Sequence, residues 1–174
     1  MEVLTRIIVT LSLTILPFMM THCTVLEKRR PEPQGTSPVI ANSFASREAS
    51  HGDAWWIYLE ANDPDGDMDK IVCFIQQPGS GHSHGSVYVS EADRARLFGY
   101  LGCWISRPRS GVSEWTELTL TVFIRDKGGN VSNKVIFPVG ISGGAKQQSP
   151  PPPFNAGGLK GLGWIGVGLF HPTE

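Results

Sequence analysis

Residues 114–125 read EWTELTLTVFIR, and their alternation decides the fold. Leu118, Leu120, Val122 and Ile124 share one face; Glu117, Thr119, Thr121 and Phe123 share the other. A period of two is that of a pleated strand with one face buried. β-branched and aromatic residues, frequent here, suit such a surface. Residues 126–130 (DKGGN) then signal a tight hairpin. Residues 134–139 return, with Val135, Phe137 and Val139 facing together.

The same period recurs upstream. In residues 54–61 (AWWIYLEA), Trp55, Ile57, Leu59 and Ala61 lie on one face and Trp56, Tyr58 and Glu60 on the other. In residues 68–76 (MDKIVCFIQ), Ile71, Cys73 and Ile75 lie together. Residues 62–67, rich in Asp, Pro and Gly, join these two strands with strong turn chemistry. Residues 38–44 (PVIANSF) read as an opening edge strand, where a leading proline is tolerated. Residues 78–85 (PGSGHSHG) read as a loop and 86–89 as a short strand. Ser90 and Asp93 have the spacing of a capping box, which predicts a short helix that continues into 94–100 for a turn or two before Gly99. Residues 101–105 form another strand, and 107–111 a turn. Short strands at this spacing define an all-β sandwich.

Composition agrees. The 174 residues suit one ordinary domain with attachments. Hydrophobic residues make up 40%, enough for a core; charged residues are 18%, and there are 20 Gly and 13 Pro, a turn-rich balance. The formal net charge of −1 provides no field to recruit nucleic acid. No basic stripe interleaves with aromatics, so nucleic acid is not an expected partner.

The ends read differently. Residues 7–20 (IIVTLSLTILPFMM) are apolar but short for a bilayer-spanning helix. They fit the core of a secretory signal over residues 1–23; the competing reading is a short uncut membrane anchor. Residues 24–37 are polar, charged and Pro-containing, a flexible tether. The folded domain is expected over 38–142. Residues 143–174 form a Pro/Gly-rich tail: a linker, four prolines at 150–153 and a Gly-rich apolar stretch. That stretch is either a late strand docked on the sandwich or a loosely ordered tail.

Two motifs carry a resemblance. Residues 59–67 (LEANDPDGD) resemble the A-x-DPDGD turn of bacterial Ig-like, PKD-like and cadherin-like domains. Residues 120–132 (LTVFIRDKGGNVS) resemble their closing hairpin. The resemblance covers about residues 38–142 and implies a single Ig-like antiparallel β-sandwich. It also implies a turn that binds calcium in some family members and not in others. Cys23 resembles the lipidated first residue of bacterial lipoproteins, although His22 stands where that pattern has a small residue. Ordinary signal cleavage nearby is the alternative.

The chemistry-bearing residues are few. Asp63, Asp65, Asp67 and Asp69 are candidate calcium ligands, because calcium takes several hard oxygens. Their spacing is not that of an EF-hand: Gly66 is the fourth position and Phe74 the twelfth. The other reading is a solvated Asp-Pro-Asp-Gly turn. Cys73 and Cys103 can pair in an oxidising compartment if Cys23 is lipidated or lost; otherwise they are separate buried thiols. Tyr100 stands three residues before Cys103 and the two cysteines are close in sequence. A bridge is therefore expected to be a local staple, not the inter-sheet bridge of antibody domains.

His82 and His84, with His51 as a spatial candidate, suggest a metal, but four ligands are not marked. Gly81–Gly85 (GHSHG) matches a hydrolase G-x-S-x-G without the strand-to-helix elbow. Gly161, Gly163 and Gly166 match dinucleotide-binding spacing without a βαβ unit. Trp55, Trp56, Trp104 and Trp115 raise carbohydrate stacking, with core packing the better expectation. Trp55 and Trp56, being adjacent, point to opposite faces.

The expectation is a non-enzymatic cell-envelope module for structural spacing or binding of an envelope protein or glycan. It would be exported, either held at a membrane through its N-terminal lipid or signal segment or secreted. The alternatives are a calcium-dependent or carbohydrate-binding adhesion module and, behind these, a metal-dependent hydrolase.

Overall fold

The computed structural model describes residues 32–79, 81–106 and 115–167. They form nine strands: β1 (Val39–Ala45), β2 (Glu48–Ala49), β3 (Ala54–Asn62), β4 (Met68–Gln77), β5 (Gly81–Tyr88), β6 (Arg96–Ile105), β7 (Trp115–Asp126), β8 (Val135–Ser142) and β9 (Lys160–Val167). One sheet has the order β1-β3-β6-β9 and the other β2-β8-β7-β4-β5. The all-β, two-sheet architecture agrees with the alternation in the sequence.

The inward rows are those the alternation marks. Trp55, Ile57, Leu59 and Ala61 of β3 and Leu97, Leu101, Cys103 and Ile105 of β6 are buried. So are Ile71, Cys73 and Ile75 of β4 and Leu118, Leu120, Val122 and Ile124 of β7, and all belong to one apolar core. Each fully buried aliphatic side chain contributes roughly 1.5–3 kcal/mol relative to exposure. Trp55 also donates its indole N–H to the Ser46 carbonyl at 2.9 Å, so its polar edge is satisfied inside.

Two of the crossings between sheets meet at one end. The aspartate turn after β3 leads into β4, and residues 89–95 lead from β5 back to β6. The Asp63 N–H donates to the Ala95 carbonyl and the Met68 N–H to that of Arg94. Both crossings are thereby sewn together.

Four expectations are corrected. Residues 81–85 are not loop but the start of β5, paired antiparallel with β4. Gly85 is not turn punctuation: a Cβ there would stand 2.8 Å from Cγ2 of Ile165, so glycine makes room for β9. The predicted helix shrinks to a 3-10 turn, Glu91–Asp93, because the buried residues from Leu97 to Ile105 alternate at period two and claim that segment for β6. Ser90 gives its hydroxyl hydrogen to the Asp93 carboxylate and caps no backbone N–H. The sheets are not purely antiparallel either: β2 runs parallel to β8 and β9 parallel to β6.

Lys160–Val167 is therefore a strand. Residues 143–154 carry the chain to it across the outer surface of the first sheet. Gln147 accepts from the Trp56 N–H at 3.0 Å and donates to the Ala54 carbonyl at 2.6 Å, filling a ladder position β1 does not reach. Phe154 is buried against Phe98 and Tyr58, with ring centroids 5.7 Å away in each case. Parallel pairing needs a long crossover; between β6 and β9 the chain runs through β7, β8 and this strap. Lys160 is ion-paired to Asp93, which fastens the start of β9 to the 3-10 turn.

Leu120 is 1% exposed at the centre of β7. Leu120→Ala is expected to cost about 2–5 kcal/mol, read as a lower urea midpoint. A loss below about 0.5 kcal/mol would mean that β7 does not face a packed core.

Candidate functional site

The aspartate turn is built around Asp63. Its buried carboxylate accepts from the Asp65 N–H through Oδ1 at 3.2 Å and from the Asp67 N–H through Oδ2 at 3.1 Å. Gly66 sits at φ +68°, a conformation glycine adopts without steric cost. Asp65 turns outward and accepts from the Thr36 N–H. Asp69 lies 3.8 Å from the Lys70 ammonium. Asp65 and Asp69 thus turn to other partners, Asp63 and Asp67 lie against each other, and among the described residues no three His, Cys, Asp or Glu side chains form a group that could hold a metal.

Asp67 meets the closing hairpin. Its carbonyl accepts from the Lys127 N–H at 3.1 Å. Across from it, buried Asp126 accepts from the Asn130 N–H at 2.7 Å and from its amide Nδ2 at 2.8 Å. The two motifs that carry the family resemblance are therefore neighbours in space. Asp67 Oδ1 is buried and has no hydrogen-bond partner among the described residues. Burial, the Asp126 charge and the adjacent Asp63 together hold the Asp67 carboxyl above its ordinary range.

An acid whose pKa rises on folding favours the fold while protonated, and that contribution is lost as pH rises through the folded value. Asp67→Asn is accordingly expected to raise the melting temperature at neutral pH, with the gain shrinking as pH falls through the carboxylate range. Thermal scans across that range check it; a neutral-pH loss would show that the Asp67 charge is needed.

His82 and His84 project outward from β5, opposite Gln76 and Phe74. The His84 ring lies 6.0 Å from that of Phe74. Between them Ser83 turns its hydroxyl inward, where it is buried. A G-x-S-x-G nucleophile needs an exposed hydroxyl on a sharp turn; here the serine is on a flat strand and faces the interior. His51 lies in the turn before β3, and both of its ring nitrogens are buried without a partner among the described residues. The glycines at 161, 163 and 166 belong to β9. Gly163 has φ +147° where the register with β6 shifts, which places Leu162 against the core.

Cys73 and Cys103 are free, fully buried thiols. The expected local staple is corrected: Cys73 stands on β4 and Cys103 on β6, in different sheets. Burial pushes the Cys103 thiol up to about 12. Burial raises Cys73 further, helped by the facing Cys103. Thiols react as thiolates. Neither is expected to react with an alkylating reagent in native buffer near neutral pH, and both should label once denaturant opens the core. Rapid native labelling, followed by mass spectrometry, would contradict this placement.

A cavity of about 130 Å³ lies beside the ion pair, lined by Ile71, Tyr88, Ser90, Asp93, Leu97 and Lys160 among others. Burial alone would raise the Asp93 carboxyl, but hydrogen bonds from Lys160 and Ser90 and the Lys160 charge hold it below its ordinary value. Both carboxylate oxygens are engaged, so the cluster works as a clasp on β9.

The tryptophans separate cleanly. Trp55 is core, while Trp56 is half-buried on the outer face. Trp104 is 52% exposed, as is, at 60%, Trp164, a residue the sequence reading passed over inside the Gly-rich tail. Only its pairing with β6 reveals it, because Trp56, Gly102 and Trp164 fall on one rung of the sheet. Cys23, the signal segment, the 107–111 turn and the Trp115 side chain lie outside the described residues. Comparison with family models, curated proteins and solved structures finds no match.

Proposed function

We propose that this chain is a non-enzymatic module of the bacterial cell envelope: an Ig-like sandwich, exported and tethered near a membrane, that positions itself for a binding partner. The observation that carries this reading is the dressing of both outer sheet faces. Trp104 and Trp164 stand exposed on one; Ile136, Tyr88 and Phe74 stand exposed on the other, at 62%, 70% and 39%. Trp104 and Trp164 stand on adjacent strands, and Phe74 and Ile136 share a rung through Thr121; exposed apolar groups of this kind mark contact sites. The buried polar groups, by contrast, are largely engaged in holding turns and strands. Export is supported by the apolar run of residues 7–20 and by Cys23 after it.

The mature N-terminus tests the reading. Intact-mass analysis of protein recovered from fractionated cells is expected to find a chain starting at or near Cys23 in the envelope or medium. Added mass of a lipid on Cys23 would identify the tethered form. A chain retaining residues 1–23 and recovered wholly from the cytoplasm would sink the proposal.

A further inference from the structure

Trp104 and Trp164 occupy the outer surface of the same sheet, beyond the part that the strap covers with Phe154. A Cβ on Gly102 would stand 2.5 Å from two carbons of the Trp164 indole and 2.8 Å from a third. The ring therefore lies over the bare backbone of β6 and stands 60% exposed above it. Trp56 holds it from the side, its ring centroid 5.3 Å away and tilted by 63°. Trp56 is itself wedged edge-on against Tyr100 at 5.2 Å. Trp104 projects from β6 two residues beyond Gly102, about 7 Å along the strand. Its cross-strand neighbours are Ala54 and Gly166, too small to shield it.

The described rungs that carry the two indoles are uncharged as well as aromatic. On the two rungs that carry the tryptophans the outward positions are Ala54, Trp56, Gly102, Trp104, Trp164 and Gly166, and none is charged; exposed Asp53 and Lys146 stand next to Ala54 and Gln147 in the chain. At 52% and 60% exposure, the two indoles offer apolar area on the order of 300 Å². A stable protein partner needs about 800 Å² from each side. The area fits a ligand of one or two rings that has a flat C–H face and no charge.

We infer that Trp104 and Trp164 form a stacking platform for a neutral glycan, with the apolar C–H faces of sugar rings laid on the indoles. The inference rests on the binding-module reading and names its ligand class. Gly102 is a positioning residue: its lack of a side chain lets the Trp164 ring lie over β6.

The full chain is titrated with the hexasaccharides of N-acetylglucosamine, glucose and mannose, by calorimetry and by tryptophan emission. Saturable binding of at least one, in the weak range typical of open sites, is expected. Trp104→Ala and Trp164→Ala should each weaken it roughly tenfold or more, as truncation of an aromatic anchor does. Trp164→Phe should recover part of the loss. Gly102→Ala, which displaces the ring and keeps it, should weaken binding while leaving the tryptophan content intact. Ile136→Ala, on the other sheet, should change nothing. No binding of any of the three sugars up to their solubility limit would overturn the inference, as would equal binding by the variant lacking both tryptophans. Co-sedimentation with isolated envelopes separates the two readings. Sedimentation that persists without both tryptophans overturns the glycan platform and keeps the module; no sedimentation of the wild-type chain removes both.

Discussion

Leu59, Leu101, Leu120 and Ile124 come from strands of both sheets and are all but fully hidden from water. That shared burial is the constraint to which the rest of the molecule is fitted. Neither sheet has another place to put its apolar face. A one-residue slip in β3 or β7 would turn the whole inward row to solvent. The registers are therefore fixed by the core, and the turns, strap and outer faces follow from them.

The end that holds the aspartate turn and the closing hairpin shows how polar residues serve this arrangement. Asp63 holds its own turn, and Asp126 holds the hairpin through Asn130. Asn130 also donates to the Gln34 carbonyl at 2.6 Å. The Ser132 hydroxyl accepts from the Ile124 N–H at 2.9 Å. Asn133 clamps β1 from both sides, accepting from the Ile40 N–H and donating to its carbonyl. These side chains replace backbone partners where strands end, and an unpartnered buried backbone group is costly. A run of aspartates in sequence is thus compatible with carboxylates such as Asp63 that hold the backbone of their own turn.

Alternation made β3, β4 and β7 legible, because each has one wet face and one dry face. It failed where glycine carried a structural meaning other than turning. Gly85 and Gly99 lie within strands because β9 packs against them, and no local signal distinguishes such a glycine from one in a loop. β9 itself was ambiguous for the same reason: glycines interrupt its apolar row, and its partner β6 is distant in sequence. The helix expected after Ser90 followed a local capping pattern that the longer-range demand of β6 overrode. Of the tryptophans, the split between Trp55 and Trp56 was readable from adjacency alone. The pairing of Trp164 with Gly102 was not, since it depends on a parallel register.

The placement of β9 bears on how the chain is made. Until Lys160–Val167 emerges and the strap has wound around the first sheet, β6 presents a bare row of amides and carbonyls above a half-closed interior. Such an edge is a template for pairing with any extended segment nearby. A nascent chain therefore passes through an interval in which its own last strand competes with foreign ones, and the seam stays open until that competition is won.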